Sequence, residues 1–307
     1  MTHDELLAYY TAPGPFTALD GFADEVVALP DDVGALAKVV QNLLVHRAWA
    51  PAYQFNLSPE RESENGLHGA VAMLSCAQRM QATPIADARP ADRRVVTICR
   101  HFATLFVAFM RHTGVPARAR CGFGAYFEKG KRVDHWVAEY WNAHEKRWVL
   151  VDAQIDGLQK AFLKPPFDTL DVPRDQFIVA GDAWRMCESG EADPATFGIA
   201  DMWGLWYVCG NIMMDIAALQ NIELLPWEQY GLTTEGEGRP QDRDLAANKE
   251  IFRRLAAISS AADAPAVTEL RALAASDPRI RVPSALVDGI IAADRAGGTG
   301  VNPLSLA

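Results

Sequence analysis

Between Ile98 and Gln154 the hydrophobic pattern switches from a helical to a strand period, and reactive side chains stand at the switch points. The run CRHFATLFVAFMRHTGVPAR predicts a helix from about Ile98 to His112. Gly114 suits a left-handed C-terminal cap, and Pro116 confirms the stop. Strand patterns then cluster in ARARCGFGAYF, VDHWVAEYW and RWVLVDAQI. The last two predict a hairpin around Asn142-Ala143-His144-Glu145. Helices followed by a cluster of neighbouring strands belong to the α+β class.

Cys99, His135 and Asp152 are the reactive residues of this stretch. Cys99 opens the helix, where unpaired N–H groups and the helix dipole favour an anion. A thiolate is an anion, so the position is expected to lower the thiol pKa and raise its reactivity. Arg93, Arg94 and Arg100 add nearby positive charge, against the plain alternative of a solvated surface cluster. If Ala143 and His144 are the two central turn residues, Asn142 faces Glu145, and counting outward brings His135 opposite Asp152. Directly opposed side chains share a face about 5 Å apart at Cβ, close enough for a carboxylate to orient an imidazole. Asp134 has the opposite parity, and Asp156 lies beyond its strand partner. Taken singly, Cys99 would more often be an inert buried thiol, and His135 a satisfied strand histidine. Their joint placement favours chemistry: a thiol nucleophile, its base and an orienting acid. His101 points elsewhere on its helix, His112 suits a helix C-terminus, and His144 lies in the turn. His3, His46 and His68 have no acid or thiol partner visible in the sequence.

The rest of the composition narrows the partners. Half of the 307 residues are hydrophobic, 22% are charged, and the formal net charge is -10. Such a chain builds an ordinary core, and its charge argues against nucleic acid or an anionic membrane as a general partner. No apolar run of about 18 residues predicts a membrane span. The opening MTHDELLAYY lacks the basic-then-apolar order of a signal peptide, so cytoplasmic residence is the expectation. The five cysteines are odd in number and never closely spaced, which predicts reduced thiols. Zinc-type ligand pairs are missing, so neither a metal nor another cofactor is expected.

Upstream, LPDDVGALAKVVQNLLVHRAW predicts a helix capped by Asp31 or Asp32 and stopped by Pro51. Residues 52–66 read as a polar loop, and Leu67 to Met80 as a second, well-buried helix. From about Asp182 the chain reads as mainly helical, with a Trp- and Met-rich stretch that Asp201 could cap. The segment TTEGEGRPQDRD reads as a charged loop, and RAGGTGVNPLSLA as a frayed tail. The expected division is 1–180 for the region holding the three residues, with its N-terminal helices, and 181–307 for a mainly helical C-terminal region.

The order Cys99, Gly114-Val115-Pro116-Ala117-Arg118, His135 and Asp152 resembles the core of the transglutaminase-like superfamily. That resemblance implies a papain-related α+β fold in which the Cys helix packs on an antiparallel sheet. It implies a nucleophile at Cys99, a general base at His135 and an orienting acid at Asp152. The implied reaction is acyl transfer from an amide or thioester, of peptide, protein or small-molecule origin, through an acyl-thioenzyme to an amine or to water. A thiol peptidase or amidase using water alone is the alternative within enzymes. A non-catalytic interaction protein on the same fold is the alternative outside them, and the intact triad argues against it. Trp136 is the candidate substrate-binding residue, with Trp203 and Trp206 as further aromatic walls, although large apolar side chains usually belong to the core. Position 101 is His where many bacterial members carry an acid. No upstream Gln or Trp in VTICR offers an oxyanion donor beside the Cys99 N–H. The calcium used by some animal relatives has no recognisable acidic loop here.

Overall fold

The computed structural model describes residues 1–233 and 242–297. Most of the loop expected over 233–244, and most of the tail expected from Arg295, lie outside the described residues. The described chain is α+β. Its eight strands are β1 (Leu44–His46), β2 (Val95–Thr97), β3 (Ala117–Gly124), β4 (Arg132–Asn142), β5 (Arg147–Val151), β6 (Phe177–Val179), β7 (Phe197–Ile199) and β8 (Met202–Trp203). The main sheet runs β6-β3-β4-β7-β8, with β5 also paired to β4. A separate two-stranded parallel ribbon joins β1 and β2.

The Cys helix spans Cys99–His112, with Ile98 as its N-cap, close to the predicted bounds. It packs on β3 and β4, and every residue from Cys99 to Arg111 is buried. Phe102, Phe106 and Phe109 are in the main hydrophobic cluster, and full burial of each contributes about 2 kcal/mol. Gly114 adopts the left-handed conformation expected of it, with φ +81. The backbone N–H of Val115 then donates to the Met110 carbonyl and closes the helix end.

Two predicted features differ in detail. The upstream helix is capped as expected, Asp32 Oδ1 accepting from the Ala35 N–H at 2.8 Å, but it ends at Leu43. Leu44-Val45-His46 pairs in parallel with Val95-Val96-Thr97 instead. The apolar stripe had continued through these residues, which hid the change of structure. The hairpin is offset by two residues: Asn142 pairs with Arg147 and Trp141 with Trp148. Its loop therefore holds four residues, closed by Lys146 at φ +52 and by Asn142 Oδ1, which accepts from the N–H groups of His144 and Glu145. His135 and Asp152 are thus not directly opposed.

An even slip keeps parity, so the two residues still share a side. The edge of β4 explains how they meet. Residues 132–133 pair with β7 and residues 138–142 with β5, which leaves this edge without a strand partner at 134–137. Strand β5 stops at Val151, and the Asp152 N–H turns away to the Thr169 carbonyl at 2.8 Å. On the other edge, His135 pairs with Gly122. A Cβ at Gly122 would lie 2.3 Å from the Ile178 carbonyl oxygen, so glycine is what lets β6 close in here.

Beyond β6, helices Ala180–Ser189 and Leu205–Leu219 pack on β3, and helix Lys249–Ala261 packs against both of them. The β7–β8 hairpin interrupts the region expected to be helical, so the Trp- and Met-rich helix starts at Leu205 after Gly204, not after Asp201. One hydrophobic cluster contains residues from both sides of position 180, from Leu6 to Ile290. No helix among the described residues is long and apolar enough to cross a membrane.

Candidate active site

Cys99, His135 and Asp152 converge at a cleft of about 490 Å3 whose lining includes Cys99 and His135. His135 Nε2 lies 2.9 Å from Asp152 Oδ2. The same oxygen accepts from the Tyr126 hydroxyl at 2.6 Å, and Oδ1 accepts from the Gln154 N–H at 3.0 Å. The carboxylate is therefore fixed at both oxygens. With Nε2 given to Asp152, Nδ1 is the nitrogen left to face the Cys99 thiol, which is near enough to help raise the ring's pKa. Phe127 and Tyr126 meet the imidazole edge-on at ring centroids 4.7 and 6.0 Å away. Burial opposes charge on His135, but Asp152 and then Cys99 outweigh it and raise its pKa to about 10. The ring is a proton-bearing partner of the thiol at neutral pH.

Burial acts on the other four cysteines. It pushes Cys76 and Cys187 up to about 11, and Cys121 and Cys209 further still. All five thiols are free. Asp134 also reaches the cleft, where burial raises its pKa, and it accepts from Asn211 Nδ2 at 2.7 Å. No group of three or more His, Cys, Asp or Glu among the described residues could hold a metal ion.

The arginines divide. Arg93 is exposed, paired with Asp92, and Arg94 binds the Arg89 carbonyl. Arg100 is fully buried and donates to the carbonyls of His68 and Glu223, so it braces the helix start instead of lying in solvent. His101 occupies the position where an acid would cap the helix. Its Nδ1 accepts the Ile98 N–H at 3.3 Å, and its Nε2 binds the Leu67 carbonyl at 2.6 Å. A neutral imidazole thus does the work of a capping carboxylate, and burial keeps its pKa well below the usual range.

Trp136 must be corrected. It is 1% exposed, belongs to the main hydrophobic cluster and does not line the cleft. Neighbours on a strand point to opposite faces, so a residue beside His135 is the wrong place to look for a wall. Trp203 and Trp206 are likewise not in the lining. The aromatic walls are Trp49, Phe127, Tyr207 and Trp227, with Leu57, Ile199 and Met202 between them. Nothing in the sequence signals Tyr126 on Asp152, because a loop contact across 26 positions follows no period.

Residues 76–153 match the family model of the transglutaminase-like superfamily, a span that holds all three converging residues. The chain carries a transglutaminase-like core. Among solved structures it is similar to a Cytophaga hutchinsonii protein provisionally described as a cysteine protease. The two are 14% identical with a TM-score of 0.34, over 60% of this chain and 50% of that one, so this chain spans half the length of its neighbour. No curated protein matches the chain significantly.

Proposed function

We propose that this transglutaminase-like core is a cysteine acyl-transfer enzyme in which Cys99, His135 and Asp152 form the triad. One observation carries the reading: His135 is held at 2.9 Å by a fixed carboxylate and lines one cleft with the thiol that opens a buried helix. Cys99 Sγ attacks an amide or thioester carbonyl, its proton residing on His135. The tetrahedral adduct collapses as His135 protonates the leaving group, and an acyl-thioenzyme forms. An amine or water then attacks, gives its proton to His135, and Sγ leaves and is reprotonated. Asp152 keeps the ring oriented and supports its charge throughout. The apolar, aromatic cleft suits an acyl donor with an apolar group beside the scissile bond. An amine acceptor gives transamidation or amide synthesis, and water gives hydrolysis.

Timed iodoacetamide labelling, read by peptide mass spectrometry, tests the proposal. Cys99 is expected to alkylate at least ~10-fold ahead of the other four thiols at neutral pH. His135→Ala is expected to remove most of that lead. Equal labelling of all five thiols, or an inert Cys99 in the folded protein, would sink the reading. A glutaminyl peptide offered with and without an amine, followed by ammonia release and product mass, then separates transfer from hydrolysis.

A further inference from the structure

We propose that His46 supplies the oxyanion-stabilising donor of this site, its Nε2–H acting beside the Cys99 backbone N–H. The inference rests on the acyl-transfer reading above. His46 is the last residue of β1 and pairs with Thr97, and Cys99 follows Thr97 by two positions. The parallel ribbon therefore brings the end of one strand next to the start of the Cys helix. His46 is half-buried and lines the cleft together with Cys99 and His135.

The protonation pattern follows from one hydrogen bond. The Ala48 backbone N–H, which can only donate, lies 3.2 Å from His46 Nδ1. Nδ1 must accept, so the ring proton of the neutral imidazole sits on Nε2. No described residue accepts a hydrogen bond from that Nε2. His101 offers the contrast: it has the same Nδ1 arrangement, but its Nε2 is spent on the Leu67 carbonyl. Gln154, which also lines the cleft, gives one of its two Nε2 protons to Gln159 Oε1 at 3.1 Å.

Charge keeps the donor in place. Burial, then the neighbouring His135 and Arg47, push the His46 pKa down to about 3, against a smaller pull from Asp152. A neutral imidazole donates through Nε2 without competing with His135 for the thiol proton. In the ground state the carbonyl oxygen carries only a partial charge. In the tetrahedral adduct it becomes an anion, and a fixed donor aimed at it is worth most then.

Two reactions of the same thiol separate the roles. Alkylation by iodoacetamide displaces iodide at carbon and builds no oxyanion. Acylation by p-nitrophenyl acetate passes through one. His46→Ala is expected to slow Cys99 acylation by about 10²–10³-fold, while alkylation stays within about threefold of the wild type. His46→Gln, which restores a side-chain N–H donor, is expected to recover part of the acylation rate, and it supplies a second variant should the alanine form unfold. Acylation unchanged in both variants overturns the assignment. So does an equal slowing of both reactions, which would make His46 a support for the thiol itself. If wild-type Cys99 neither alkylates preferentially nor acylates, the acyl-transfer reading fails first, and the two failures are told apart.

Discussion

Strands β3 and β4 carry two buried polar assemblies, one at each end. At one end, Glu139 is met by Arg118 at 2.7 Å, Arg120 at 3.0 Å and Arg174 at 2.7 Å. Arg120 also grips Asp215 through both oxygens, and Asp215 accepts further from Ser259 and from the Cys121 N–H. At the other end, His135 meets one carboxylate in a cleft that Cys99 also lines, and no described residue accepts from His46 Nε2. In the first assembly every charged group has an opposite partner. The second keeps hydrogen-bonding capacity on residues that line a cleft. Both are nearly or wholly inaccessible at their centres, so burial does not distinguish a scaffold from a site; leftover hydrogen-bonding capacity does.

Breaking the matched end should have the largest effect on stability and the smallest on chemistry. Glu139→Gln leaves two fully buried guanidiniums short of their counter-charge, and is expected to cost about 3–5 kcal/mol in urea unfolding. Cys99 labelling in the folded fraction should be unchanged. A strong loss of labelling there would mean that the two ends are not independent.

The pH responses should be opposite in sign. Burial raises the Glu139 pKa, but Arg118, Arg120 and Arg174 outweigh it and hold the carboxyl below its ordinary range. Its contribution is present above the unfolded value of about 4.3 and is lost as pH falls toward the folded one. His135 is raised to about 10 in the folded chain. Its contribution is full below the unfolded value of about 6.5 and is lost as pH rises through about 10. The stability gap between wild type and Asp152→Asn should therefore shrink between pH 6 and pH 10. A gap that grows over that range would show that the pair is not held as a charged imidazolium.

The smallest expected effect comes from Tyr126→Phe, which removes one of three hydrogen bonds to Asp152. One such bond to a charged group is worth about 1.5–3 kcal/mol at most, and the two remaining partners still hold the carboxylate. Cys99 acylation is expected to slow by about threefold to tenfold, with the melting temperature little changed. A loss as large as that of Asp152→Asn would promote Tyr126 from support to a principal determinant of the triad's geometry.

Much of this was legible because the signals are local. The Cys helix has a clear period and a Gly-Pro ending, and β3 to β5 alternate or run apolar. The meeting of His135 and Asp152 is legible from parity, which a two-residue offset in register leaves intact. What failed was long-range or irregular. His46 had no partner in sequence because its partner arrives through pairing with Thr97. Ala200 at φ +52 turns β7 into β8 without a glycine at that position. Trp136 looked like a wall only because the triad histidine stands next to it.

The parallel ribbon of β1 and β2 works as a ruler. A strand advances about 3.3 Å per residue, so the distance from donor to nucleophile is set in steps of that size by one ladder of three pairs. The chain between the two strands can lengthen, shorten or change its contacts without altering that spacing, provided the pairing of His46 with Thr97 holds. A single residue inserted between Thr97 and Cys99 would shift the spacing by a whole step while removing no packed side chain. This short stretch, with few side chains of obvious chemical interest, is thus expected to tolerate insertion poorly.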